Sequence, residues 1–381
     1  LIPRLRLHLK KIIVLSMGKR YGGGSRIKRL LRRLFPSPEY DGNVEYHYSP
    51  MIFVPLFEFL QVPLALFYAL VMLAVRRIKV DAIYCITVGE PYFVPVALII
   101  SSILRLPLIL EHGDPFWEEV GGLKRKAYQL YQRLAMHSTY VKYVTAVDPS
   151  VVSFLRVRYP WKSVLFLPEG YPDGFDVEVN ENDKDSLRRH YGLKGKKVVM
   201  YAGTLFSPSI PIKSLLDAAA EVIRQRNDVV FVIFGRDSHK LSPLISSMQL
   251  SEHFLLGYRP HNEMGLWISL ADVCVNIRRG FCFGHKVHEY MIKGKPMVLA
   301  TENPMKYDHF LIDEHNCLLV RLEPETLSKA ILRLIDNGEF AHEIGKNAHE
   351  SIKMYSWDFF TKVLIRMFKS VIRNGSKIAR E

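Results

Sequence analysis

Cysteine is scarce in this chain. Cys85, Cys274, Cys282 and Cys317 are the only four in 381 residues, and none stands in a Cys-x-x-Cys pair. A disulfide framework and a thiolate zinc site are therefore excluded as organising devices, and the apolar runs around three of the four point to buried free thiols. The fourteen histidines are scattered. His285 and His288 flank Lys286 without an acidic or cysteine partner that would complete a ligand set, so no metal is expected. Gly-x-Gly-x-x-Gly is absent, and no acidic residue follows the first glycine loop at the ribose offset, which argues against a dinucleotide cofactor. No helix-turn-helix, zinc module or RNA-recognition signature is present, so nucleic acid is not an expected partner despite the positive charge. Solenoid repeats and low-complexity segments are also missing. No apolar run reaches the roughly 20 residues of a bilayer crossing; the longest uninterrupted one, Val62–Val75, has 14.

What the chain does have is length for two domains, 49% hydrophobic and 24% charged residues, and a net charge of +14. The charge is uneven. Residues 1–80 carry fourteen Lys and Arg against four Asp and Glu, a net of +10 in the first fifth. Such a face implies a polyanionic neighbour, a membrane or a phosphorylated substrate. Residue 1 is Leu, which leaves an upstream anchor open. Met51–Val75 is apolar apart from Glu58 and Gln61, and a basic cluster follows it (Arg76, Arg77, Lys79). A buried helix, an interfacial helix dipping into a headgroup layer and a true span all remain open for it.

The chain order reads as βα units. Lys11–Met17 is a strand run; Gly22, Gly23 and Gly24 follow, then a basic helix from Ser25 to about Leu34. Strand, glycine loop and helix open a Rossmann-like half, and the glycines let backbone approach a ligand phosphate. From Val80 the rhythm is regular: strands at Ala82–Val88, Pro107–Glu111, Val141–Val147 and Ser163–Leu167, helices at Tyr92–Leu104, Lys124–Ser138 and Pro149–Arg158. These strands are continuous apolar runs, as a parallel sheet covered on both faces requires. Pro168–Gly174 breaks the pattern and marks a domain boundary. A second series then begins with Lys197–Ala202, ending at Gly203, and Val229–Phe234, ending at Gly235. The expected architecture is α/β: two doubly wound Rossmann-like domains, residues 1–170 and 171–355, facing across a cleft, with a terminal helix over 356–381.

Gly280–Ala300 is the stretch with chemistry in it. Two glycines bracket a short aromatic loop, a helical run follows, Gly294 stops it, and Pro296–Ala300 reads as a buried strand. A helix starting at Gly284 presents unpaired first-turn amides as an anion seat. Lys286 and Glu289, three apart, share one face within a turn of that seat. A cation beside the amides suits a diphosphate, and a carboxylate one turn deeper suits the two hydroxyls of a ribose. The competing reading is a solvated ion pair on an ordinary surface helix.

The segment Lys286-Val287-His288-Glu289-Tyr290-Met291-Ile292-Lys293-Gly294-Lys295-Pro296 resembles the signature of retaining GT-B glycosyltransferases, the group that includes phosphatidylinositol mannosyltransferases. Six further pieces are similar to that family in the right order. They are the opening strand and its glycine loop, Leu167-Pro168-Glu169-Gly170, Met200-Tyr201-Ala202-Gly203, Leu256-Gly257-Tyr258, and Tyr355-Ser356-Trp357 before the last helix. The resemblance implies that Glu289 holds the ribose, that Lys286 neutralises the departing diphosphate, and that His112 stands near the transferred sugar; Asp114 is a weaker candidate. It places Gly23, Gly24, Gly203, Thr204, Lys213, Tyr258, Arg259, Arg278 and Gly284 on the donor. The chain also departs from the pattern. Thr204 stands where many members have Arg, Ile210-Pro211 where they have Lys-Gly, and Phe281 where they have a first Glu; Lys213, Arg278 and Arg279 are the nearest replacements.

The resemblance thus implies a metal-independent enzyme with no cofactor, moving a sugar from a UDP- or GDP-sugar with retention. The implied acceptor is a polyprenyl-phosphate-linked or phospholipid-linked glycan. The basic first fifth and Met51–Val75 add the expectation of a peripheral location, on an anionic membrane at its cytoplasmic face. The alternatives are a nucleotide-sugar 2-epimerase, for which paired carboxylates are missing from the glycine loops, and a non-catalytic partner that kept the fold.

Overall fold

The structure, a computed structural model, describes residues 2–5, 7–9, 12–17, 39–49, 61–75, 80–86, 93–112, 122–207, 209–280, 284–302, 304 and 310–378. The chain divides into two compact units: residues Leu1–Val147, Val152–Leu167 and Phe360–Glu381 form one, and Asp148–Val151 with Pro168–Phe359 form the other. The glycine loop at Gly23 and Gly24, the basic helix after it, and Asp114 lie outside the described residues.

In the first unit β1 (Ile12–Met17) pairs in parallel with β3 (Val44–Ser49), and β2 (Glu39–Asp41) runs antiparallel on the far side of β3. The β2–β3 hairpin was not expected. Its strands mix Tyr and His with Glu, so no apolar run announces them. The signal that was available is local: Asp41-Gly42-Asn43-Val44 closes a two-residue turn with Gly42 at φ 60°. Next comes α1 (Gln61–Val75), with Pro63 in its first turn, where a missing N–H costs nothing. Ala65 and Ala69 are buried in a cluster with Val96 and Ile100, while Phe67 and Val71 are exposed. Fifteen residues of helix span about 22 Å, short of the ~30 Å hydrocarbon core. Among the described residues no helix is long and apolar enough to cross a membrane.

The regular part of this unit follows as read. A four-stranded parallel sheet runs β4 (Ile83–Ile86), β5 (Leu108–His112), β6 (Val141–Ala146), β7 (Val164–Phe166), in that spatial order. The connecting helices are α2 (Phe93–Leu104), α3 (Gly122–His137) and α4 (Pro149–Arg158). All five residues of β5 are buried, because neighbours flank it and both faces are covered.

The second unit begins with α5 (Glu181–His190), a helix that buries no residue and so left no apolar period to read. Its terminal signals explain it. Asn180 accepts from the Asn182 amide, acidic residues fill the first turn, and Arg188, Arg189 and His190 fill the last. Six parallel strands follow: β8 (Lys197–Ala202), β9 (Val229–Phe234), β10 (Phe254–Gly257), β11 (Val273–Arg278), β12 (Met297–Thr301) and β13 (Leu318–Arg321). The helices between and after them are α6 (Ile212–Gln225), α7 (Ser242–Ser247), α8 (His261–Leu270), α9 (His285–Ile292), α10 (Pro324–Asp336) and α11 (Gly338–Lys353); the last helix, α12 (Trp357–Ile378), belongs from Phe360 onward to the first unit. The spatial order is β10-β9-β8-β11-β12-β13. The chain therefore starts at the centre, winds out one way, returns, and winds out the other. The reversal falls between β8 and β11, and ligands of open α/β sheets bind outside the carboxyl ends at that switch point. Every residue of β9 is buried, and α6 covers the sheet with Leu215, Leu216, Ala218, Ala219, Val222 and Ile223. Burying side chains of that size contributes about 1.5–3 kcal/mol for each leucine or isoleucine.

Candidate active site

The loops leaving β8 and β11 meet at the switch point. The Arg279 amide donates to the Ser209 carbonyl at 2.8 Å, which ties the loop after β11 to the loop after β8. Beside them the strand ends approach backbone to backbone: a Cβ on Gly235 would lie 2.3 Å from the Gly203 carbonyl oxygen. Only glycine fits at Gly235, where the chain leaving β9 presses on the chain leaving β8.

Helix α9 is held over this edge by its buried face. Val287, Glu289, Tyr290, Met291 and Ile292 are all buried, and the Tyr290 hydroxyl accepts the Ala202 amide of β8 at 3.1 Å. At the other end the Gly294 amide donates to the Met291 carbonyl, and Gly294 takes φ 61°, a left-handed turn that ends the helix. At the start Gly284 sits at φ 72°, and no side chain caps the first turn. The Val287 amide donates to the Gly284 carbonyl at 3.3 Å, and the positive end of the helix dipole lies at this start.

Glu289 is 2% exposed, which discards the solvated-pair reading of Lys286 and Glu289. Lys286 Nζ lies 3.5 Å from Oε1 and 3.4 Å from Oε2. A second partner comes from α8: His261 Nε2 stands 3.0 Å from Glu289 Oε1. The His261 ring stacks on the buried Phe175, centroids 5.2 Å apart. Sequence spacing gave no hint of this contact, since 28 residues separate His261 from Glu289.

The two histidines beside Lys286 behave oppositely. His285 makes an ion pair with Glu169, which corrects the expectation that it has no acidic partner. That hydrogen bond raises its pKa above the ordinary imidazole value. His288 is buried, and loss of solvent pushes it down to about 4. Among the described residues no group of three His, Cys, Asp or Glu side chains is placed to hold a metal ion.

The other sequence candidates of this unit are dispersed. The Thr204 carbonyl accepts from the Tyr201 hydroxyl at 2.6 Å, so its side chain stays near the β8 edge. Lys213 is exposed on α6 and pairs with Asp217 at 2.7 Å. Tyr258 is exposed after β10. Arg259 is engaged from three sides: its guanidinium lies 5.1–5.5 Å from the Phe234, Trp267 and Tyr191 ring centroids and donates to the Tyr191 hydroxyl at 2.8 Å. Arg278 ends β11 beside Tyr201, where its charge opposes the rise in the Tyr201 pKa that burial causes. In the first unit His112 ends β5; it is buried, and desolvation pushes its pKa down to about 4. Its neighbour Glu111 is also buried and accepts from the Tyr84 hydroxyl.

Two parallel-sheet α/β units of this kind match solved GT-B glycosyltransferases. The Anabaena Alr3699/HepE structure in complex with UDP aligns at TM-score 0.70 and 19% identity, over 94% of this chain and 100% of that one. The fold is GT-B. Residues 196–337 match the family model described as glycosyl transferases group 1, and the second unit carries that domain. Among curated relatives, the alpha-D-kanosaminyltransferase of Streptomyces kanamyceticus is 26% identical over 198 residues, 51% of this chain and 50% of that protein. The phosphatidyl-myo-inositol mannosyltransferase of Mycobacterium leprae is 27% identical over 211 residues, 53% of this chain and 55% of the relative. The chain thus spans about half the length of these two relatives.

Proposed function

We propose that this chain transfers a sugar, with retention, from a UDP- or GDP-sugar to a membrane-associated glycan carried on a polyprenyl phosphate or a phospholipid. The observation that carries the reading is the buried Glu289 with Lys286 against it, on a helix whose uncapped start lies at the sheet's switch point. The UDP held by the HepE structure supports a nucleotide donor here. The nucleotide sugar is the donor, and no further cofactor is invoked.

Glu289 anchors the ribose side of the nucleotide site, and the start of α9 takes the diphosphate. As the bond to the anomeric carbon breaks, negative charge collects on the leaving phosphate oxygen. Lys286 and that helix start stabilise that charge more than they stabilise the bound ground state, which is what lowers the barrier. His112 is assigned to the sugar. Held neutral by burial, it donates a hydrogen bond to a sugar hydroxyl rather than acting as a cation. Gly203, Gly284 and Thr204 line the diphosphate side, and Arg278 is the nearest replacement for the family's missing arginine.

The membrane part draws on α3. Lys126 and Arg133 are exposed on it, on the same face as Leu130 and Leu134 at 50% and 49% exposure. Trp161 continues the stripe, donating to the Met136 carbonyl and packing 5.0 Å from the His137 ring while 58% exposed. Basic, leucine and tryptophan side chains on one face suit the headgroup boundary of an anionic leaflet, on the cytoplasmic side in this proposal.

The decisive experiment is a thermal-shift panel of UDP, GDP, ADP and their sugars. At least one nucleotide should raise Tm progressively with concentration. No stabilisation by any of them rules the reading out, whereas stabilisation without turnover of any sugar donor selects the non-catalytic partner.

A further inference from the structure

Glu289 is the carboxylate assigned to the ribose, yet it is 2% exposed, and the ligand-free chain already places Lys286 and His261 on it. The partner that faces outward is His261, whose side chain is 57% exposed. A carboxylate only accepts hydrogen bonds, so the contact at 3.0 Å fixes the imidazole: Nε2 carries the proton and donates to Oε1. In the tautomer with the proton on Nε2, Nδ1 is the acceptor. Phe175, buried beneath and stacked at 28° to the ring, sets the plane in which that acceptor lies. His261 is also the first residue of α8, directly after the short Gly257–Pro260 turn that leaves β10, so backbone at the sheet's carboxyl edge positions it.

We propose that His261 is a donor-binding residue: with Glu289 it forms a dyad in which the buried carboxylate orients the imidazole and the other ring nitrogen, Nδ1, accepts a hydrogen bond from a ribose hydroxyl. The buried acid supplies orientation and the histidine carries recognition outward. The dyad makes His261 the determinant that separates ribonucleotides from their deoxy counterparts. The inference rests on the nucleotide-sugar reading above and adds a residue to it.

The test measures Kd for UDP and GDP and for their 2′-deoxy and 3′-deoxy forms, on the full chain and on two variants. The wild type should prefer the better ribonucleotide over at least one deoxy form by about tenfold, the worth of one hydrogen bond to a positioned group. His261→Ala should weaken the ribonucleotide about tenfold, leave the deoxy form nearly unchanged, and so reduce the preference to below twofold. His261→Gln, whose amide can donate to Glu289 and accept from the sugar, should restore most of the preference. A merely structural histidine would lower both affinities together and leave their ratio intact. An unchanged ratio in His261→Ala, with ribonucleotide still bound, overturns the dyad while sparing the nucleotide-sugar reading. Absence of any nucleotide binding to the wild type overturns both.

Discussion

The two units differ in what they leave uncovered. In the second, large apolar side chains reach the surface singly, among them Val177, Phe206, Leu244 and Met354. In the first, besides single ones such as Leu7 and Ile86, several come as same-face pairs on successive helices: Ile99 with Ile103 on α2, Leu130 with Leu134 on α3, Phe154 with Val157 on α4. Scattered exposure is ordinary for a soluble surface, whereas paired exposure on several helices is the pattern that the membrane proposal draws on. Chemistry divides the same way. The second unit holds a buried carboxylate, a lysine and an uncapped helix start close together, so its ligand is small, polar and anionic. The first unit offers basic and apolar side chains together on one helix, the feature from which a broad amphipathic neighbour is proposed.

The largest effect that would test this division belongs to the second unit. Lys286→Ala should lower kcat by about 10²–10³ while changing donor KM severalfold at most, because the charge it stabilises grows as the leaving group departs. Vesicle binding should be untouched. A variant that lost KM alone would make Lys286 a ground-state binder and weaken the assignment of transition-state stabilisation to α9.

The next effect is shared by the units and asks whether they respond alike. His112 in the first and His288 in the second are both pushed from the ordinary 6.5 down to about 4 by burial. Below pH 6.5 the unfolded chain binds protons that these folded imidazoles refuse. The stability they contribute is complete above 6.5 and is lost as pH falls toward about 4, on the order of 3 kcal/mol for each. His285 has the opposite sign. Its pKa is raised by Glu169, so its contribution is present below the unfolded value and disappears as pH rises through the folded one. Being half exposed, it offsets little of the acid loss. Urea midpoints between pH 7.5 and 4.5 should fall steeply on the acid side. His112→Gln and His288→Gln should each flatten that slope, whatever they do to stability at pH 7.5. A slope unchanged by both would mean that the imidazoles titrate in the folded chain near their ordinary value.

What could be read from the chain follows from the range of the forces involved. Buried parallel strands are continuous apolar runs, so β5, β6, β8, β9 and β11 were visible, as was α9 between its two glycines. Lys286 and Glu289 were visible because helix geometry alone joins residues three apart. The contacts that finish the site were not. His261 meets Glu289 across 28 residues and Glu169 meets His285 across 116, and only the winding of the sheet brings them together. The hairpin at Glu39–Ser49 and helix α5 escaped for a different reason, since neither carries an apolar period.

The smallest effect tests the other side of the comparison, the apolar pairs of the first unit. Leu130 and Leu134 are one turn apart on α3, with Arg133 between them and Lys126 one turn before. Insertion of two leucines into a headgroup layer, with the arginine and lysine at anionic lipid, contributes only a few kcal/mol in all, because each side chain is already half covered in the free chain. Leu130→Asp with Leu134→Asp should therefore weaken co-sedimentation with vesicles of anionic lipid about tenfold or more. Wild-type binding should fall as salt rises and be lost on vesicles of neutral lipid, since screening acts on the basic half of the stripe. Nucleotide-induced stabilisation should be the same in variant and wild type, because Lys286 and Glu289, the residues assigned to the nucleotide, belong to the second unit. If the double variant sediments like the wild type, the exposed leucines are not the membrane face, and the +10 charge of the first eighty residues becomes the place to look for one.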